Sequence, residues 1–213
     1  MIRVKICGIT SLEDASLAVR LGVHALGFIF APSPRQVSPD AVRDIVRGIP
    51  PLVQTVGVFV NDAPSRVREI MGFCGLDLAQ LHGDESPDDC EALTPRVIKA
   101  LRLKDESSLA AAETYRNKVR AVLLDSYMKG RRGGTGTTLD WDLAARALKI
   151  GIPVILAGGL NPGNVRMAVS VVRPFAIDVN SGVEERPGRK SPALMDRLME
   201  IVRNLHVGAM RYE

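Results

Sequence analysis

The segment Arg3-Val4-Lys5-Ile6-Cys7-Gly8-Ile9-Thr10 begins the chain with a short strand that alternates polar and apolar side chains and ends at a cysteine. An open, doubly wound α/β sheet normally follows its first strand with a GxGxxG loop that binds a nucleotide. Here the first strand is followed by Gly8-Ile9-Thr10 instead. This difference favours a closed (β/α)8 barrel over the open sheet, which is the competing α/β architecture.

Strand-like and helix-like segments alternate from this first strand to the end of the chain. Most strand candidates are short and rich in Val, Ile, Leu or Phe, as strands buried on both faces tend to be. They are Arg3–Cys7, Ala25–Phe30, Gln54–Val60, Leu76–Leu81, Val97–Leu101, Ala121–Asp125, Val154–Ala157 and Phe175–Val179. Eight such units in 213 residues, without a linker or a break in composition, predict one (β/α)8 TIM-barrel domain over residues 1–213.

Amphipathic stretches between these strands predict the helices of the barrel. Several of them follow a serine or carry a proline at or near the first helical position, both of which favour a helix start. The predicted helices are Leu12–Leu21, Pro39–Arg47, Pro64–Phe73, Asp140–Lys149, Pro162–Val172 and Ser191–Leu205.

Composition and charge limit the classes of partner. The formal net charge is +4, but the Lys and Arg residues are spread along the chain and aromatic residues make up only 4%. A base-stacking nucleic-acid surface needs more aromatic side chains than this, so an anionic small molecule is the better expectation. No apolar run reaches the roughly 20 residues of a membrane span, and the first residues do not resemble a signal peptide. We therefore expect a cytoplasmic protein that binds neither nucleic acid nor membrane.

The chain has three cysteines, Cys7, Cys74 and Cys90, and no CxxC pair. An odd number without paired spacing argues against a disulfide framework and against a thiolate metal site. We predict that Cys74 and Cys90 are small buried apolar residues. We expect no metal and no cofactor.

Polar and reactive side chains gather at the carboxyl ends of the predicted strands, which form the active-site face of a barrel. Because successive strand residues point to opposite faces, Lys5 and Cys7 should both turn into the barrel. The same alternation places Asp125 on the inward face of the sixth strand. Cys7 and Asp125 are therefore predicted to point into one mouth, with Lys5 beneath Cys7, where a positive charge would favour the thiolate. The other residues at this rim are Arg35, Gln80, His82, Gly158–Gly159 and Asp178–Gly182.

Two glycine-containing segments indicate a phosphate site. Leu156-Ala157-Gly158-Gly159-Leu160 follows the seventh strand and Asp178-Val179-Asn180-Ser181-Gly182-Val183-Glu184 ends the eighth. Phosphate sites of these barrels are built from the loops after strands 7 and 8, where small residues let backbone N–H groups approach the anion. A third segment, Arg131-Arg132-Gly133-Gly134-Thr135-Gly136, is predicted to be a loop near the site.

Taken together, these segments resemble the phosphoribosylanthranilate isomerase family, the barrel enzymes of tryptophan biosynthesis. The resemblance covers residues 5 to 184, in family order. The matching segments are Lys5-Ile6-Cys7-Gly8-Ile9-Thr10, Ser33-Pro34-Arg35, Gln80-Leu81-His82-Gly83, Asp125-Ser126, Gly133-Gly134-Thr135-Gly136, Leu156-Ala157-Gly158-Gly159-Leu160 and Asp178-Val179-Asn180-Ser181-Gly182-Val183-Glu184.

The resemblance implies a role for each matching position. It makes Cys7 the general base, Asp125 the general acid, and Arg35 the partner of the anthranilate carboxylate. The residues that it assigns to the phosphate are Gly158, Gly159, Ser181 and Gly182. We expect His82 and Asp178 to position substrate or neighbouring groups. Two positions depart from the family pattern, because Asn180 stands where Ser is usual and Leu139 where Phe is common.

The implied reaction is an Amadori rearrangement of N-(5′-phosphoribosyl)anthranilate, a phosphorylated sugar joined to anthranilate, by a monomer or a homodimer. Two alternatives stay open at this point. One is the related histidine-pathway isomerase, although its base is an Asp where this chain has Cys7, and the Asn61-Asp62-Ala63-Pro64 segment is no second phosphate loop. The other is a non-catalytic phosphate-binding barrel, which would have no reason to carry both Cys7 and Asp125.

Overall fold

Eight parallel strands pair in chain order and the eighth returns to the first, which closes the barrel. The structure is a computed structural model, which describes residues 2–126 and 140–205. The barrel strands β1 to β8 are Arg3–Ile6, Ala25–Ile29, Gln54–Phe59, Leu78–Leu81, Val97–Leu103, Ala121–Ser126, Val154–Leu156 and Ala176–Val179. The predicted (β/α)8 barrel and all eight of its strands are confirmed. The predicted loop at 131–136, Leu139 and the last residues from His206 onward lie outside the described residues.

Helices cover the outside of the barrel. Helices α1 to α8 are Leu12–Arg20, Pro39–Gly48, Pro64–Cys74, Pro87–Glu91, Glu106–Glu113, Trp141–Ala147, Val165–Val172 and Pro192–Arg203, with short 3₁₀ helices at Leu148–Ile150 and Ser181–Val183. Within the two described ranges, no helix combines the length and the apolar character needed to cross a bilayer. All six helices predicted from the sequence are present, with ends that differ by a few residues.

Two helices and a two-stranded hairpin were not predicted. Helix α4 has only five residues and begins at a capping box in which Ser86 and Asp89 exchange hydrogen bonds. Helix α5 is rich in Ala and Ser, so it lacks the apolar stripe that identifies a surface helix. Strands β9 (Glu184–Arg186) and β10 (Arg189–Lys190) form a small antiparallel hairpin after the eighth barrel strand.

Strand alternation divides the apolar residues into two layers. Val4 and Ile6 of β1 belong to the large layer between the barrel and its helices, together with the buried Cys74 and Cys90. Leu123 of β6 belongs to the smaller cluster inside the barrel. The predicted facing of β1 and β6 is therefore confirmed, and so are the buried positions of Cys74 and Cys90.

A buried ion pair fixes the loop that follows β4. Lys99 Nζ lies 2.7 Å from Glu85 Oε2 and also donates to the Gly83 carbonyl at 2.8 Å. Both side chains are at most 4% exposed. Burial raises the pKa of Glu85, but hydrogen bonds from Lys99 and from the Asn61 N–H more than offset this effect and lower the pKa below its usual value. The Glu85 carboxylate therefore stays charged at neutral pH.

We expect Glu85→Gln to lower the free energy of unfolding by about 3–5 kcal/mol at neutral pH, because it leaves the Lys99 ammonium buried without its counter-charge. Urea denaturation measures the change. The folded-state pKa of Glu85 is lowered, so its stabilisation is present above the unfolded-state pKa and is lost as the pH falls through the folded-state pKa. The difference between wild type and variant should therefore shrink in acid.

Glu91→Gln is the matched control, because Glu91 pairs with Lys118 at 2.9 Å while 62% of its side chain is exposed. Exposed pairs of this kind contribute about 0–1 kcal/mol. Equal losses from the two variants would contradict the assignment of the stabilisation to the buried pair.

Candidate active site

A cavity of about 620 Å³ opens at the carboxyl end of the barrel strands. Every residue that the sequence assigned to the site lines this cavity. Those residues are Cys7, Arg35, His82, Asp125, Gly158, Gly159, Asp178, Ser181 and Gly182. Positions separated by up to 175 residues in the sequence are thus brought together at one rim.

Cys7 follows the last residue of β1 and continues its pairing with β8, since its N–H donates to the Val179 carbonyl at 2.9 Å. Two residues earlier, Lys5 Nζ lies 2.9 Å from Asp178 Oδ1 inside the barrel. Burial raises the pKa of the Cys7 thiol, Lys5 lowers it and Asp178 raises it. Lys5 therefore acts in the direction expected from the sequence, but burial outweighs it and the uncharged thiol dominates at neutral pH.

On the opposite side of the cavity, three side chains form a chain of polar contacts. His82 Nε2 lies 3.4 Å from Asp125 Oδ2, and the Gln80 amide nitrogen lies 3.0 Å from His82 Nδ1. An amide nitrogen can only donate, so in this arrangement Nδ1 accepts and Nε2 carries the hydrogen that faces Asp125. Gln80 is 1% exposed, so its amide is held in the wall. His82 is therefore placed to orient the Asp125 carboxyl group.

Arg35 follows β2 and its guanidinium makes a two-point contact with Glu184. Arg35 Nε donates to Glu184 Oε1 at 2.8 Å and Nη2 donates to Oε2 at 2.6 Å. Lys190 Nζ also lies 3.0 Å from Glu184 Oε1. The arginine predicted to meet a substrate carboxylate is thus already held by a carboxylate of the protein.

The loops after β7 and β8 form a small, glycine-lined corner of the cavity. Gly158 and Gly159 both have positive φ angles, 88° and 68°, which residues with a side chain rarely adopt. Among the described residues, the N–H groups of Gly158, Gly159 and Gly182 donate to no protein acceptor. Ser181 and Gly182 begin a 3₁₀ helix at the same corner. Unpaired N–H groups at a helix start are the arrangement that binds phosphate.

Gly182 packs so closely on the β7 loop that a Cβ atom would overlap the Leu160 carbonyl oxygen. We expect Gly182→Ala to displace one loop from the other and to raise KM for a phosphorylated substrate by about 10- to 100-fold, since displacements near 1 Å cost this much. Steady-state kinetics measure the effect. Gly72→Ala on α3 is the matched control, because a Cβ there meets no atom within 4 Å. An unchanged KM in Gly182→Ala would argue against a phosphate at this corner.

The comparisons with known proteins agree with this geometry. Residues 4–201 match the family described as N-(5′-phosphoribosyl)anthranilate isomerase. The chain belongs to this family. The isomerase of Geobacter sulfurreducens is 55% identical over 204 residues, which cover 95% of this chain and 98% of the relative. That of Moorella thermoacetica is 51% identical over 203 residues, or 95% of this chain and 90% of the relative.

Solved structures of N-(5′-phosphoribosyl)anthranilate isomerases superpose over nearly the whole chain. The Thermotoga maritima enzyme has a TM-score of 0.90 at 42% identity and covers 96% of this chain and 100% of its own. A second isomerase structure, in complex with reduced 1-(o-carboxyphenylamino)-1-deoxyribulose 5-phosphate, has a TM-score of 0.86 at 40% identity, with the same two coverages. These matches place the chain with the tryptophan-pathway isomerases rather than with the histidine-pathway enzyme.

Of the two departures from the family pattern expected from the sequence, one falls among the described residues. Asn180, the first of them, accepts a hydrogen bond from Lys190 Nζ at its Oδ1 over 3.0 Å. The longer amide therefore has a partner, and the loop is fixed through Lys190. Leu139, the second departure, lies outside the described residues.

Sequence reasoning missed some residues of the isomerase site. Arg102 lines the cavity because β5 runs to Leu103, two residues beyond the predicted end. The inward facing of Ile98 and Ala100 continues with period two to Arg102, and that signal was available. The side chains of Glu184 and Lys190 are 4% and 0% exposed, and no local pattern in the sequence indicates the contact of Glu184 with Arg35 across 149 residues.

Proposed function

We propose that this isomerase carries out the Amadori rearrangement of N-(5′-phosphoribosyl)anthranilate with Cys7 as general base and Asp125 as general acid. The product is 1-(o-carboxyphenylamino)-1-deoxyribulose 5-phosphate, and the reaction belongs to tryptophan biosynthesis. The observation that carries the proposal is that Cys7 and Asp125 line the same cavity as the glycine corner. A substrate whose phosphate is bound at the glycine corner therefore has an acid and a base on facing walls of the cavity.

The chemistry begins with two proton transfers, one from Asp125 and one to Cys7, and ends with a tautomerisation that places a proton on C1′ and removes one from the C2′ hydroxyl. Asp125 protonates the ring oxygen of the furanose, the ring opens, and a Schiff base forms between C1′ and the anthranilate nitrogen. Cys7 as thiolate then removes the proton from C2′, which gives an enolamine that tautomerises to the 2′-ketone. The substrate is oxidised at C2′ and reduced at C1′, so no external electron acceptor is needed. Each proton transfer typically contributes about 10²- to 10⁴-fold.

Binding is divided among the remaining residues of the rim. Gly158, Gly159, Ser181 and Gly182 hold the phosphate through backbone N–H groups. Arg35 receives the anthranilate carboxylate, because a guanidinium matches the planar geometry of a carboxylate. His82 orients Asp125. Asp178 Oδ1 lies 2.9 Å from Lys5 Nζ and so fixes Lys5 beneath Cys7.

The deciding experiment is turnover of freshly prepared phosphoribosylanthranilate by the purified protein, followed as loss of the fluorescence of the substrate. We expect saturable activity. A protein that binds the reduced product analogue but does not turn over substrate would instead be a non-catalytic phosphate-binding barrel. That outcome would overturn the proposal.

The domain content, the oligomeric state and the cellular compartment are part of the same proposal. We propose one catalytic domain over residues 1–213, acting as a monomer or a homodimer on a small anionic substrate and not on nucleic acid. An isomerase of Thermotoga maritima is described as dimeric. We propose that the reaction takes place in the cytoplasm, because Cys7 can act as a base only while it is not oxidised, and a reducing compartment keeps it so.

A further inference from the structure

We propose that Glu184 is a positioning residue that fixes Arg35 from behind and thereby selects a substrate with a carboxylate on its aromatic ring. The inference rests on the proposed function and adds to it a residue that contacts no substrate. Arg35 lines the cavity, whereas Glu184 is not part of its lining. The side chain of Glu184 is only 4% exposed.

The guanidinium group of Arg35 has two edges, each of which can bind a carboxylate through two hydrogen bonds. The contacts to Glu184 use Nε–H and one hydrogen of Nη2, at 2.8 and 2.6 Å, which is the side-on edge. The end-on edge consists of the second hydrogen of Nη2 and one hydrogen of Nη1, and the contacts to Glu184 use neither of them. No described residue accepts a hydrogen bond from Nη1. An incoming carboxylate can therefore make a second two-point contact without displacing Glu184.

Glu184 is itself held in place on several sides. Its Oε1 accepts from Lys190 Nζ at 3.0 Å and from the Gly188 N–H at 3.3 Å. The Lys190 ammonium also donates to the Asn180 carbonyl at 3.2 Å and to Asn180 Oδ1 at 3.0 Å. The Glu184 carboxylate and the two oxygens of Asn180 thus accept the three hydrogens of the Lys190 ammonium. The carboxylate that holds Arg35 is thus anchored to the loop that ends β8.

Charge balance explains why a lysine is buried at this position. Arg35 and Glu184 alone would form a neutral pair with little attraction for an anion. Lys190, with 0% side-chain exposure, restores a net charge of +1 to the cluster. A rigid guanidinium also loses less rotamer freedom on binding than an unrestrained one, which favours affinity. The cluster is therefore suited to bind an anion in one fixed orientation.

The test compares two ligands that differ only in the carboxylate. One is reduced 1-(o-carboxyphenylamino)-1-deoxyribulose 5-phosphate, and the other has phenylamino in place of o-carboxyphenylamino. Calorimetric Kd values are measured for wild type, Glu184→Gln, Glu184→Ala and Glu184→Asp. We expect Glu184→Gln and Glu184→Ala to bind the carboxylated ligand about 10- to 100-fold more weakly, because Arg35 leaves its fixed geometry. Binding of the uncarboxylated ligand should change less than about twofold.

Two further variants complete the design. Glu184→Asp keeps the charge and should recover part of the lost preference for the carboxylated ligand. Glu185→Gln is the matched control, because Glu185 neighbours Glu184 on β9 but is 64% exposed and pairs with Arg189 at 3.5 Å. We expect wild-type Kd values for both ligands from this control.

Each outcome has one interpretation. An equal loss for both ligands would place the effect of Glu184 at the phosphate loop and overturn the inference. A variant that keeps the wild-type preference for the carboxylated ligand would overturn it as well. If wild type itself shows no such preference and no turnover, the proposed function fails instead. Glu184→Gln, which keeps the shape of the side chain, provides the answer if Glu184→Ala does not fold.

Discussion

Replacing Cys7 by alanine should lower kcat by about 10²- to 10⁴-fold, since general base catalysis typically contributes this much. The change removes the group proposed to take the C2′ proton and leaves the phosphate corner intact. Binding of the reduced product analogue should therefore stay within a few-fold of wild type. Stopped-flow and steady-state fluorescence measure the rate, and calorimetry measures the binding.

Cys74→Ala is the matched control for this substitution. Cys74 is 2% exposed and packs in the layer between barrel and helices. The Cys74→Ala substitution also converts a thiol side chain to a methyl group, but away from the cavity, so kcat should remain at the wild-type value. A Cys7→Ala enzyme with near-wild-type kcat would remove Cys7 from the mechanism.

The pH dependence of the wild-type enzyme follows from the burial of Cys7. Burial raises the pKa of the Cys7 thiol above its ordinary value of 9.0, although Lys5 opposes this. The base is competent only when deprotonated, so kcat/KM should rise between pH 7 and pH 9 as the thiolate fraction grows. A flat or falling profile over this range would contradict thiolate catalysis.

Asp125→Asn should lower kcat by about 10²- to 10⁴-fold as well, because an amide has nearly the same shape but cannot deliver a proton to the ring oxygen. The substitution keeps a polar group next to His82 Nε2, which lies 3.4 Å from Asp125 Oδ2 in the wild type. KM should therefore change little while kcat falls. The measurement is the same fluorescence assay at saturating substrate.

Asp142→Asn makes the same carboxylate-to-amide change in the first turn of α6, where the residue is exposed. It should leave kcat unchanged. Loss of activity in Asp142→Asn, or full activity in Asp125→Asn, would argue against a specific acid at position 125.

The features that could be predicted from the sequence have a local signal. The facing of Lys5 and Cys7 follows from the period of two along a strand, and register pairing of Lys5 with Asp178 places both inside the barrel. The glycine segments after β7 and β8 could be located because this fold binds phosphate there. The site residues could be found as a set because the carboxyl ends of all barrel strands meet at one rim.

The features that could not be predicted depend on contacts between distant segments. Whether the thiol of Cys7 is charged depends on how burial and the charges of Lys5 and Asp178 balance, and the sequence specifies only which groups are near. The contact of Arg35 with Glu184 depends on a hairpin that folds back over the rim. Lys190 is only 1% exposed, which contradicts the usual exposure of lysine, so residue type alone predicts the wrong environment.

The closure of β1 against β8 has a consequence for how the enzyme is made. Lys5 meets its partner 173 residues later in the chain, and the Lys190 N–H reaches Asp14 across 176 residues. A nascent chain emerging from the ribosome can therefore pair its first strand with β2 early, but that strand lacks its β8 partner until almost the whole protein has been synthesised. Contacts of such long sequence separation form late and slowly. The catalytic rim is thus among the last parts of the molecule to be assembled, and premature termination yields a product without an active site.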